Sequence, residues 1–138
     1  MQPPFDKNGY LLPGVHPFSW ADFKERFSYN PRRSRLIFGL FVLAKKLAQV
    51  GCTQIWVGGS LTTTKETPGD FDGCFDRMEI DWYSPNLDPI ITDPEAQSAQ
   101  FGGELIADSM SQFQQLLQTD RQGQPRGIVL LNPQELLE

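Results

Sequence analysis

Apolar residues recur every three or four positions between residues 31 and 50. Leu36, Ile37, Leu40, Phe41, Leu43, Ala44, Leu47 and Ala48 make one broad stripe, the pattern of an amphipathic helix. Asn30 supplies a capping side chain. Pro31 suits the first helical position, where its missing N–H costs nothing, and Gly51 is placed to end the helix. A shorter helix is predicted after Ser19, with Trp20, Phe23 and Phe27 on one face. Asp93-Pro94 repeats the cap-plus-proline start and predicts a helix through Gln100, stopped by Gly102-Gly103. Short apolar runs predict four strands: Ile55 to Val57, Phe71 to Phe75, Glu104 to Ala107 and Ile128 to Leu131. Thr62 to Glu66 reads as a short helix, residues 77–92 as irregular, Ser111 to Leu117 as helix or strand, and Asp120 to Gly127 as a turn-rich loop. Pro and Gly crowd residues 1–18, which predicts an extended N-terminal arm laid over the core through Tyr10, Leu11, Leu12 and Phe18. Residues 19–138 then form a single domain of α/β (α+β) class, a small mixed sheet of about four strands with one long helix packed on it.

Composition removes several kinds of chemistry. With 138 residues, 39% of them hydrophobic, the chain can bury a core without staples. No apolar run approaches the ~18–20 residues of a membrane span, and no basic-then-apolar leader is visible, so no membrane contact and a cytoplasmic location are expected. Two cysteines without metal spacing and a single histidine, His16 beside Pro17, leave no basis for a zinc finger, a disulfide scaffold or a histidine-based nucleophilic triad. His16 is expected to hydrogen-bond within a loop, and Trp56, Phe71, Cys74 and Phe75 to lie in the core. The net charge of −5 argues against general attraction to nucleic acid. Arg32, Arg33, Arg35, Arg121 and Arg126 are still enough for a local basic surface. The first three oppose the dipole at the start of the long helix, and read either as a solvated face or as a phosphate contact.

The segment from Gly58 to Asp72 carries the candidate chemistry. A strand delivers Gly59-Ser60 into a turn, and after nine intervening residues, Leu61 to Gly69, comes Asp70-Phe71-Asp72. On a strand, residues i and i+2 share a face, so Asp70 and Asp72 project side by side while Phe71 points the other way. Two such carboxylates repel unless a cation lies between them, and oxygen ligands suit Mg²⁺ or Mn²⁺. The glycines let backbone approach a polyphosphate, and Ser60 offers a hydroxyl. Lys65 reads as a phosphate contact or as a solvated helix lysine.

Gly59-Ser60, the spacing that follows and Asp70-x-Asp72 resemble the signature of the DNA polymerase β-like nucleotidyltransferase superfamily. The preceding helix from Pro31 to Val50 sits where such domains place one, and the small size resembles the minimal members. Pro13-Gly14-Val15-His16, Trp20, Phe27 and Asn30-Pro31-Arg32-Arg33 are similar to a short bacterial and phage family of these domains, one associated with toxin–antitoxin or defence roles.

The resemblance implies that Gly59 and Ser60, with Lys65 beside them, bind the nucleotide and that Asp70 and Asp72 hold Mg²⁺ (or Mn²⁺). It also implies a third carboxylate on a neighbouring strand. Glu104 is the first candidate, Asp108 the second, and Asp76 continues the Asp72 face. The expected activity is transfer of a nucleoside monophosphate from an NTP to a hydroxyl of a protein or RNA acceptor. The rival expectation is a catalytically degenerate module of the same fold that binds a partner protein from a neighbouring gene. This chain departs from the minimal pattern in carrying a threonine run and Lys65 where an arginine is common, Gly69 where serine is common, and Gly73 where a large apolar residue is usual.

Overall fold

The computed structural model describes residues 3–137. Met1 and Gln2 of the expected arm and Glu138 of the expected domain lie outside the described residues. The elements run β1 (Val15–Pro17), α1 (Trp20–Phe27), α2 (Pro31–Ala48), β2 (Ile55–Gly58), β3 (Phe71–Asp76), α3 (Pro94–Phe101), β4 (Gly103–Asp108), α4 (Gln112–Leu116) and β5 (Ile128–Leu131). The strands form one mixed sheet in the order β1-β5-β2-β3-β4. β2 runs antiparallel to both β3 and β5, while β4 is parallel to β3 and β1 is parallel to β5.

The expected four strands are present, and a fifth joins them. β1 comes from the arm and covers the outer edge of β5. Gly127 N–H donates to Leu11 O at 2.8 Å, Ile128 N–H to Gly14 O at 3.0 Å and Phe18 N–H to Leu130 O at 3.0 Å. Three residues, one of them a proline, carry too short a pattern to read as a strand. An outer edge tolerates Pro17, since nothing lies beyond it to need the missing N–H. His16 therefore sits on a strand and not in a loop, with Nε2 2.6 Å from Leu12 O.

α2 follows its sequence signals. Asn30 Oδ1 accepts from Arg33 N–H at 2.9 Å, and Pro31 opens the first turn. The helix is capped at Gln49, and Gly51, expected to end it, lies three residues beyond Ala48, at φ +104° and donating to Ala48 O. Leu36, Ile37, Leu40, Leu43, Ala44 and Leu47 are buried in one core with Ile55, Val57, Phe71, Phe75, Leu105, Val129 and Leu131 of the sheet. The aromatic cluster of α1, with Phe23 and Phe27 fully buried, closes one end of this core. Burial of this apolar surface is the main term holding the layers together.

The other face of the sheet is only partly covered. Cys74, Leu117 and Ile128 are buried there, with Val15, Trp56 and Phe113 packed around them. The short α4 does this covering, and beyond it the polar residues of the same face open to solvent.

At the β4 edge, Gln97 of α3 is fully buried. Its side-chain amide donates to Ile90 O and Ile91 O, and its Oε1 accepts from Leu105 N–H at 2.7 Å. One side chain thus satisfies an edge donor that has no further strand to pair with.

Candidate functional site

The β2–β3 hairpin fixes the heart of the site. Gly58 pairs with Asp72, and the next residue, Gly59, turns the chain at φ +71°. A Cβ on Gly59 would stand 2.8 Å from Asp72 Oδ2 and 3.3 Å from Asp72 Cβ. Only glycine meets both demands, the left-handed backbone and the close approach of the carboxylate. The small-residue bend and the second aspartate are therefore in direct contact.

Asp72 also pairs in parallel register with Glu104 on β4. Side chains of paired residues lie on the same face, so Glu104 stands beside Asp72. Asp70 lies just before β3 and is exposed, and it is not on the strand as alternation alone implies. It nonetheless lines the same cleft as Asp72, while Phe71 points into the core with no exposure. Burial, and then the neighbouring charges of Asp70 and Glu104, raise the Asp72 pKa above the usual carboxylate value. Asp72 is thus the acid that feels its neighbours.

Asp108, the second candidate for a third carboxylate, is at the opposite end of β4, paired with Asp76. Its oxygens accept from the N–H groups of Ser109, Phe113 and Gln114 at 2.8–3.1 Å, so it anchors the start of α4. Asp76 accepts from Met78 N–H at 2.9 Å and starts a 3-10 turn. Both acids are engaged away from the Gly59 bend, and Glu104 alone joins Asp72.

The residues after Ser60 form no helix from Thr62 to Glu66. A single 3-10 turn, Gly59–Thr62, is followed by irregular chain. The reason lies in α2. Arg33 has no exposed surface, and its guanidinium donates to Leu61 O (2.6 Å), Thr63 O (2.6 Å), Lys65 O (2.7 Å) and Phe27 O (3.2 Å). Carbonyls drawn inward this way are unavailable to helical N–H groups. Arg32 binds the other end of the same segment, donating to Pro68 O and Gly69 O. Arg33 is thus neither a solvated face nor a phosphate contact, and with the half-buried Arg32 it shapes the loop that carries the site. Arg35 stays exposed.

Gly59, Ser60, Lys65, Gly69, Asp70 and Asp72 line one wall of a cleft of about 560 Å³. The facing wall comes from far along the chain: Tyr10 of the arm, and Asp120, Arg121, Gln122 and Arg126 of the β4–β5 connection. Tyr10 Oη donates to Asp120 at 2.7 Å. That bond pushes the Tyr10 pKa up and the Asp120 pKa down, being the largest cause of each shift. The sequence signals for this wall were two arginines in a turn-rich loop and an arm tyrosine, and nothing local paired them with Asp72.

Lys46–Asp88, remote from the cleft, is the one ion pair among the described residues. Lys65, Arg121 and Arg126 therefore share the cleft with Asp70 and Asp72 without neutralising them by contact. Among the described residues, no three His, Cys, Asp or Glu side chains stand together as a ready-made metal ligand set. A pair of carboxylates is nonetheless the usual protein contribution to a Mg²⁺ that keeps its waters and takes further oxygens from phosphate. No described helix is long and apolar enough to cross a membrane.

Comparison with curated proteins and with solved structures returns no match. Residues 3–132 match a sequence family, and by that match the chain belongs to DUF6932, a family of unknown function.

Proposed function

We propose that the protein is a metal-dependent nucleotidyltransferase, moving a nucleoside monophosphate from an NTP to a hydroxyl of a protein or RNA acceptor. The observation that carries the reading is the contact between Gly59 and Asp72, with Glu104 in register beside Asp72 and Asp70 in the same cleft. This is a bend of small residues set against clustered acids, with room for a polyphosphate between them. The donor set is all oxygen, which fits Mg²⁺ or Mn²⁺ held by Asp70 and Asp72; Glu104, in register beside Asp72, would join them as third ligand by a side-chain movement toward the cation. When bound, the cation neutralises the acids and the departing phosphate charge.

In the reaction the acceptor oxygen bonds to the α-phosphorus as the bond from that phosphorus to the bridging oxygen breaks. Pyrophosphate leaves with the bonding electron pair. Glu104 takes the hydroxyl proton. Ser60 Oγ and Lys65 Nζ orient the phosphates, and the backbone at Gly59 permits their close approach. Most of the catalytic effect comes from positioning and charge stabilisation.

The test is incubation of the full chain with α-labelled NTPs, Mg²⁺, and total cellular RNA or protein as acceptor. Wild type is expected to transfer label to acid-insoluble material, and Asp70→Asn/Asp72→Asn to transfer none. Equal labelling by both proteins sinks the reading.

One observation favours a second reading. Phe38 on α2 is 69% exposed, beside Val42 and Phe101 on a surface away from the cleft. A catalytically degenerate module would use such a surface to bind a partner protein from a neighbouring gene. Calorimetry separates the two: Mg²⁺-dependent NTP binding belongs to the first reading, and its absence to the second.

A further inference from the structure

The basic wall of the cleft has no role in the chemistry above, yet it is built with care. Asp120 closes the tip of the β4–β5 connection on itself, its carboxylate accepting from Gln122 N–H at 2.9 Å and Gln124 N–H at 2.8 Å. Tyr10 Oη adds a bond to the same carboxylate from the arm. Arg126 is anchored by its backbone N–H on Gln118 O and its Nε on Leu117 O, and its guanidinium lies 5.9 Å from the Tyr10 ring centroid. Arg121 sits within the closed turn, so its backbone is held. Its side chain is exposed and has no hydrogen bond or ion pair among the described residues. Arg121 and Arg126 line the wall of the cleft that faces Asp70 and Asp72. Space of about 560 Å³ separates the two walls. A guanidinium presents a planar fork of donors that matches phosphate oxygens, and a held backbone lowers the cost of ordering it.

We propose that Arg121, supported by Arg126, binds the terminal phosphates of a polyphosphate whose other end lies at Asp70 and Asp72. The proposal rests on the nucleotidyl-transfer reading and sharpens it: the donor is a nucleoside triphosphate, recognised by the two phosphates that leave. A monophosphate has no terminal phosphates to offer Arg121.

Calorimetry on the full chain with Mg²⁺ tests this, using ATP, AMP and inorganic tripolyphosphate as probes. Wild type is expected to bind ATP and tripolyphosphate more tightly than AMP. Arg121→Gln is expected to weaken ATP and tripolyphosphate by about ten-fold or more and AMP not at all. Arg121→Lys keeps the charge without the fork and falls between them. Arg35→Gln, on an exposed turn of α2, changes nothing. Arg121→Gln replaces an exposed side chain, and an unchanged urea midpoint verifies its fold. Undiminished ATP and tripolyphosphate binding by Arg121→Gln overturns the inference and leaves the nucleotidyl-transfer reading standing. Arg121-dependent tripolyphosphate binding without nucleotide binding or transfer does the reverse. A wild type that binds none of the probes overturns both.

Discussion

Arg33 is a buried cation with no carboxylate in ion-pair contact among the described residues; backbone carbonyls take that role. Its ring of acceptors converts the threonine run into a loop and aims Ser60 at the cleft. Arg33→Met leaves those carbonyls without donors in a dry site, and is expected to cost about 3–5 kcal/mol, read as a lowered urea midpoint. Arg33→Lys rescues little, because one ammonium does not replace a planar fork. At Asp72 the sign of the pH dependence follows from its raised pKa. Between the ordinary carboxylate value and the raised one, the folded chain holds a proton that the unfolded chain has released. Stability from this group is therefore full at low pH and lost as pH rises through that window. In chelator, Asp72→Asn is expected to flatten the dependence and to be the more stable protein near neutral pH. Mg²⁺ at a hundred times its Kd should stabilise wild type by about 2.7 kcal/mol and the variant far less, as thermal melts will report.

At the scale of elements, β3 carries the site because its two faces differ. Phe71 and Phe75 enter the core, while Asp72 stays on the half-covered face. Gly73, an oddity against the minimal pattern, has a local cause. A Cβ there would stand 2.6 Å from Trp56 O and 2.7 Å from Leu105 Cδ2, so the Leu105 side chain occupies the space that a larger residue would need. Gly73→Val is expected to cost about 1–3 kcal/mol in thermal unfolding by overpacking, and to shift Asp72 away from Gly59. Weakened Mg²⁺ and NTP binding at temperatures well below the melt would report that displacement. The Asp72–Glu104 pairing depends in the same way on β4, whose edge Gln97 secures.

At the scale of the whole molecule, the cleft is closed by chain segments that share no sequence neighbourhood. The arm crosses the loop after Ser60, with Tyr10 bridging Thr63 and Thr64 N–H donating to Gly9 O at 3.0 Å, and its tyrosine then reaches Asp120. Arm, acid wall and basic wall are thereby coupled. Tyr10→Phe removes one hydrogen bond to the Asp120 carboxylate and so loosens the turn that this carboxylate closes. Hydrogen exchange at the Gln122 and Gln124 amides is expected to accelerate about five-fold, with the overall urea midpoint little changed.

The sequence by itself determined the long helix, since Asn30-Pro31 and the apolar stripe are local signals that the core reinforces. It determined the four strands β2 to β5 and the approach of Gly59-Ser60 to Asp70-x-Asp72, because a hairpin between adjacent strands leaves few alternatives. Only the tertiary structure set Glu104, and not Asp108, beside Asp72, because that placement depends on the parallel register of β4 against β3. It also placed Arg33 inside, made a strand of Val15–Pro17 and brought Arg121 and Tyr10 to face Asp72. Each of those outcomes joins residues distant in the chain, where periodicity and capping signals carry no information.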